Sequence, residues 1–249
     1  MKKTKNKISK TSLMHFVKLY LRAGLFLGVL ALYIAKRVSG KSIFAWDSYG
    51  VHWLLGIIWV FYAVEMAMRF FPSKIESPGC QKQFKRNFKP TEINTPPRGT
   101  PRRTLLTALI WLLGNGAIGL LYLTGIIDEG ILILISLAYG VGDMVCILFF
   151  CPFQTWLMKN RCCTDCRIYN WDFAMMFTPY VFIPHAYTWS LLGMSLLILI
   201  RWEITVRRHP EFFSESTNES LACKNCTEKL CKHKKQLMSF IRKGHFIKR

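Results

Sequence analysis

Long apolar runs separated by short polar segments dominate this chain. Residues 16–35 (FVKLYLRAGLFLGVLALYIA), 51–71, 104–124, 130–150 and 185–204 are the five clear runs. Each is close to the ~20 residues that an α-helix needs to cross a hydrocarbon core. Pro72 stops the second run. Lys18 and Arg22 interrupt the first near one end, where long basic side chains are expected to snorkel to the interface. That run lacks a small-residue cleavage site and sits behind a basic head, so it reads as a signal anchor.

A sixth run, 171–183 (WDFAMMFTPYVFI), carries Pro179 inside it and is followed by Pro184. As a regular helix its residues reach only about 20 Å. A short Pro-kinked span, a re-entrant hairpin and an interfacial helix are the three forms it could take.

Charge helps to choose among them. The head 1–18 carries six Lys, segment 72–103 eight Lys/Arg, segment 151–171 three, and the tail from Arg207 eleven. The turn 125–129 and the stretch around Pro184 carry none. Basic segments stay in the cytoplasm. Six spans put every strongly basic segment inside, whereas five would force the tail across, although loop 36–50 (three basic, one acidic) fits either count poorly. The expectation is an all-α polytopic membrane protein with six transmembrane helices, one short and Pro-kinked. It has a basic cytoplasmic N-terminus (1–15), a first helix pair (16–71), a Pro-rich basic cytoplasmic loop (72–103), four further helices (104–206) with a cytoplasmic Cys-rich loop (151–171), and a cytoplasmic Cys/His-rich tail (207–249). The plasma membrane is the expected location.

Composition agrees: 51% of residues are hydrophobic and 19% charged, with a formal charge of +20. Mean hydropathy is +0.22. Blocks of this kind argue against a soluble enzyme, and the basic charge belongs to membrane-flanking loops, so nucleic-acid binding is not expected. No Ser/His/Asp set, zincin helix, paired carboxylates or phosphate-binding Gly loop is present, which leaves enzymatic activity open. No internal repeat announces a transporter. Gly116-x-x-Gly119 and Gly140-x-Gly142 read as close helix contacts.

The nine cysteines are the main chemical signal. Cys151, Cys162, Cys163 and Cys166 form one group, and Cys223, Cys226, Cys231 and His233 another. Reduced thiols at short spacing on a cytoplasmic face are metal ligands more often than disulfides. The tail set suits tetrahedral zinc, and the loop set has the thiolate count of zinc or an iron–sulfur cluster. Adjacent Cys162 and Cys163 are awkward partners for one ion because neighbouring side chains diverge. A single site shared by loop and tail is an alternative. Cys146 reads as a small hydrophobe, and Cys80 stands alone.

The stretch Cys146–Pro152 (CILFFCP) resembles the C-x3-C-P of membrane quinol-dehydrogenase ferredoxins of the NapH and NosR type, with four residues in place of three. The paired motif and ferredoxin-like tail of that group are missing here. The resemblance implies iron–sulfur chemistry beside a quinone.

Within the spans lie Glu65, Asn115 and Asp143. Buried acids are expensive and tend to be functional. Asp143 stands about 12 Å from Cys151 along a helix, which suits a proton relay. Glu65 could instead pair with Arg69, and Asn115 reads as interhelical glue. His52 and His185 fall at the outer surface as possible ligands of a metal or quinone, with haem disfavoured. Two Asn-x-Ser/Thr matches, at Asn218 and Asn225, read as accidental.

The leading functional expectation is an iron–sulfur electron carrier between a cytoplasmic partner and the quinone pool, working with partner subunits in the bilayer. The alternatives are a zinc-stabilised non-redox subunit or scaffold, and a small ion- or proton-coupled transporter using Glu65 and Asp143.

Overall fold

A computed structural model describes residues 9–39, 49–92, 101–160, 162–226, 228 and 231. The fold is helical, and among the described residues the only β feature is an isolated bridge between Pro90 and Asn218. In chain order the α-helices are α1 (Lys10–Ser39), α2 (Tyr49–Arg69), α3 (Pro78–Gln81), α4 (Pro101–Leu123), α5 (Glu129–Leu148), α6 (Asp172–Met176) and α7 (Ala186–Arg208). Four of these, α1, α4, α5 and α7, are long and apolar enough to cross a membrane.

One of them, α4, is patterned inside out. In α4 the buried residues are Thr107, Asn115 and Gly119, at multiples of four along one stripe, while Leu105, Leu109, Leu112, Leu113 and Leu120 are exposed. In α7 the buried stripe is Thr188, Leu191, Ser195, Ile198 and Trp202, at alternating spacings of three and four. Lipid is as apolar as leucine, so the α4 contact selects small and polar groups and its leucines face out, whereas α5 buries Leu132, Ile133, Leu134 and Leu137.

Named contacts fix the helix directions. α1 and α5 run antiparallel, for Tyr33 meets Asp128 (3.1 Å), Arg22 meets Gly140 (2.9 Å) and Phe16 meets Phe149 (6.3 Å between rings). α2 and α7 run in the same direction, with His52 beside His185, Trp59 donating to Ser190 (2.8 Å) and Arg201 donating to the Phe70 carbonyl (2.6 Å). α5 starts where the Asp128 carboxylate accepts the Ile131 amide at 3.0 Å. It packs against α1, α6 and the Thr178–Phe182 turn, and Tyr139 meets Trp111 of α4.

The run with Pro179 returns the chain from the Arg69 end of the bundle to the His52 end. Asp172 binds Arg69, Phe177 packs on Tyr62, Phe182 sits on Gly119, and His185 reaches His52. It is not a regular helix. α6 gives way to a 3₁₀ turn (Thr178–Phe182), and His185 is extended. A rise of about 2 Å per residue in the 3₁₀ part, and about 3.3 Å where extended, lets this stretch cover roughly 27 Å. That matches about 25 Å along α2 between His52 and Arg69. Irregular backbone is tolerated at such depth when protein covers it, and Phe173, Met176, Phe177, Tyr180 and Ile183 are buried.

Gly119 is required here, because a Cβ would stand 2.0 Å from the Phe182 ring. At Gly140 a Cβ would meet the Tyr62 hydroxyl at 2.6 Å. Gly116 and Gly142 face open space, so only one glycine of each predicted pair makes a close contact.

Candidate functional site

The Arg69 end of the bundle holds a buried charge network. Arg22, fully buried on α1, donates to Glu65 of α2 (2.7 Å), to Asp143 of α5 (2.8 Å) and to the Gly140 carbonyl (2.9 Å). Lys18, one turn earlier, reaches Glu76 at 2.8 Å and Glu65 at 3.6 Å. Arg69 pairs with Asp172 at 2.6 Å and donates to Asn170 at 3.1 Å. Two expectations are corrected. Lys18 and Arg22 do not snorkel, because carboxylates on neighbouring elements bind them inside the protein. Glu65 pairs with Arg22, while Arg69 is taken by Asp172. The Glu76 carboxyl is opposed by burial, yet Lys18 and Arg69 outweigh that and hold it below its usual range.

Asp143 also faces a cavity of about 210 Å³ at this end. Trp111, Tyr139, Phe153, Ile147, Met175 and Met176 provide much of its apolar wall. Four thiols face it as well: Cys146, Cys151, Cys163 and Cys166. The local fold explains their convergence. α5 ends at Leu148, and Pro152 opens a π-helical turn (Phe153–Met158) that doubles the chain back under α4. The Cys151 sulfur accepts the Gln154 amide at 3.3 Å, capping that turn. The Cys163 thiol donates to the Gln154 side-chain oxygen at 2.8 Å. Cys146 and Cys151 lie within side-chain hydrogen-bonding reach of each other. Cys146 and Gln154 thus line the cavity, and Arg22 holds Asp143 at its wall; none of the three was among the site candidates read from the sequence.

The 162–168 loop is held from beneath by Lys82, which is buried against the Trp202 and Phe213 rings and donates to the carbonyls of Thr164 (3.1 Å) and Cys166 (3.3 Å). Burial pushes the Lys82 ammonium down to about 8. It pushes the Cys166 thiol up. Arg167 forms a two-pronged pair with Glu203 (2.8 and 2.5 Å).

The other candidates fall elsewhere. Cys162 points away from the cavity, with its sulfur 3.5 Å from that of Cys231 in the tail and 3.2 Å from the Thr164 hydroxyl. Glu228 anchors the tail nearby. Its carbonyl accepts the hydroxyls of Ser9 (3.0 Å) and Ser12 (2.7 Å), and its carboxyl accepts Ser77. Burial pushes that carboxyl up to about 7. Cys223 and Cys226 form a turn of their own, with the Cys226 amide on the Cys223 carbonyl; His233 lies outside the described residues.

Cys80 is buried under Ser77 and Glu76, away from the cavity lining. All nine cysteines are thiols. Among the described residues, no three His, Cys, Asp or Glu side chains converge to hold one metal ion.

Asn115 donates to the Trp111 carbonyl of its own helix and lies beside Tyr139 of α5. At the opposite end, His52 and His185 meet at 6.0 Å between ring centroids, and Tyr187 stacks on His185 at 5.7 Å. The Asn218 side chain is buried and donates to the Phe212 carbonyl, so it leaves no room for a glycan. Comparisons with protein families, curated proteins and solved structures found no match for this chain.

Proposed function

We propose that this protein is a membrane redox protein whose working groups are the cysteine thiols around the Asp143 cavity, and that its electron acceptor is a quinone. One observation carries the reading: four thiols and two paired carboxylates, Asp143 and Asp172, line a single, largely apolar cavity. A cavity of about 150 Å³ holds a benzene ring, so this one suits a quinone head group. Trp111, Tyr139 and Tyr169 are aromatic residues of its wall, and the polar groups include the thiols, Gln154, Asp143 and Asp172.

The chemistry balances with these residues alone. Cys146 and Cys151 lose two protons and two electrons and join as a disulfide. The quinone takes both and becomes the quinol. Asp143, held in place by Arg22, is positioned to pass a proton between the thiols and the quinone oxygen. A buried acid of this kind marks a proton path more often than a packing site.

The bundle makes six crossings in this reading, with α2 and the 172–185 return added to the four long apolar helices. In this reading the cysteine end and both termini lie on the cytoplasmic side, which the basic charge of segments 1–18, 72–103 and the tail from Arg207 supports. The iron–sulfur and zinc expectations need four converging donors. Divergent Cys162 and Cys163 favour thiol chemistry over a shared ion.

The test is anaerobic addition of a short-chain ubiquinone to the dithiol-reduced, detergent-solubilised protein, followed by the quinol absorbance. The expected result is at least one quinol per protein, lost in Cys146→Ser and Cys151→Ser. Absence of quinol with the wild-type protein, or stoichiometric iron in it, overturns the proposal.

A further inference from the structure

Cys162 and Cys163 are consecutive, yet they serve different surroundings. Cys163 faces the cavity and donates to Gln154. Cys162 faces Cys231, which comes from the tail 69 residues further along the chain and stands 3.5 Å away, sulfur to sulfur. A disulfide needs about 2.05 Å, so a shift of roughly 1.5 Å joins the pair.

This approach is built by the fold. Three residues before Cys231, Glu228 is pinned by Ser9, Ser12 and Ser77. Beneath Cys162, the buried Lys82 ammonium holds the Thr164 and Cys166 carbonyls, and the Thr164 hydroxyl contacts the Cys162 sulfur at 3.2 Å. Cys231 is exposed and Cys162 half-buried, while Cys163 and Cys166 are buried. The surface pair is therefore open to small solutes, and the cavity thiols are reached through the bundle.

We propose that Cys162 and Cys231 are a solvent-side dithiol, the site at which small cytoplasmic thiols such as glutathione deliver electrons, and that the Cys162–Cys163 peptide hands them to the cavity. This rests on the cavity-thiol reading above. The exchange balances step by step. After a quinone has oxidised Cys146 and Cys151, the Cys163 thiolate attacks the Cys146 sulfur and releases the Cys151 thiolate. The Cys162–Cys163 peptide then turns to bring its two sulfurs together, and the Cys162 thiolate attacks Cys163 to form a transient vicinal disulfide, which frees Cys146. Cys231 attacks Cys162, which frees Cys163 and leaves a Cys162–Cys231 disulfide. Each released thiolate takes up the proton its attacker gave up. One glutathione thiolate opens that disulfide as a mixed disulfide, and a second displaces it. The net change is two glutathiones and a quinone converted to glutathione disulfide and quinol.

The experiment uses the full chain in lipid nanodiscs, with peptide mapping by mass spectrometry. In mixed reduced and oxidised glutathione, a Cys162–Cys231 linked peptide is expected, vanishing as reduced glutathione is raised. After quinone oxidation, Cys231→Ser is expected to recover its cavity thiols about tenfold more slowly with glutathione, since exchange rates follow thiol access. A membrane-permeant phosphine should restore wild type and variant equally fast, which shows that the variant is folded and its cavity intact. No linked peptide at any ratio, or recovery of Cys231→Ser at the wild-type rate with glutathione, overturns the proposal. If quinone oxidises no cavity thiol in either protein, the cavity reading fails instead, and the linked peptide alone decides the surface pair.

Discussion

Arg22 of α1 and Asp143 of α5 are joined at 2.8 Å, with the guanidinium fully buried. The pair ties the first helix to the wall of the thiol cavity, and Glu65 on the other side of the guanidinium ties in α2. Two carboxylates from two helices converge on one cation, so the cation is the part that cannot be spared.

Replacing Arg22 by Met is expected to destabilise the protein by about 3–5 kcal/mol, because it leaves buried carboxylates without their partner. The triple variant Arg22→Met, Glu65→Gln, Asp143→Asn should recover much of that loss, since no unpaired charge remains. Thermal unfolding in detergent checks both. A triple variant less stable than Arg22→Met alone would contradict the account.

Gly119→Ala and Gly116→Ala are expected to differ sharply. At Gly119 the new methyl meets the Phe182 ring, and overpacking of this kind costs about 1–3 kcal/mol. At Gly116 it enters open space and changes little. The comparison is a difference in melting temperature between the two variants, and equal values would show that the 172–185 return does not lie against α4.

Acid should loosen the contact between α1 and the 72–81 segment. Lys18 and Arg69 hold the Glu76 carboxyl below its ordinary value of 4.5, against the opposing effect of burial. Because the folded value is depressed, the stabilisation is present above pH 4.5 and is lost as pH falls through the folded value. Melting temperature should therefore drop below pH 4.5 in the wild type and change less steeply in Glu76→Gln, which starts lower at neutral pH. Parallel profiles for the two proteins would contradict this.

Much of the helical layout was legible in the sequence because apolar runs of span length leave few alternatives; four of them are helices long and apolar enough to cross a membrane. The form of the return through Pro179 was not. Its reach depends on mixing 3₁₀ and extended backbone, which an assumption of uniform helix rise misses. The charge network was half legible. Glu65 and Asp143 stood out as acids in apolar runs, but their partner Arg22 was read as snorkelling. Its distance from the start of its run was the available signal, since a side chain two turns inside has no short path to water. Cys146 was overlooked for the opposite reason. Its neighbours are apolar, and only the end of α5 at Leu148 lets Cys151 lie beside it. The divergence of Cys162 and Cys163 was foreseeable from their adjacency, whereas the meeting of Cys162 with Cys231 depends on how the tail docks.

The most direct test of the central claim is site-resolved thiol counting before and after anaerobic addition of one equivalent of short-chain quinone to the reduced protein. Alkylation and mass spectrometry give the state of each cysteine. The expected result is the loss of two thiols, those of Cys146 and Cys151 or, after internal exchange, those of Cys162 and Cys231, with Cys80, Cys223 and Cys226 unchanged. Full retention of the cavity thiols, with quinone unreduced, would contradict the claim.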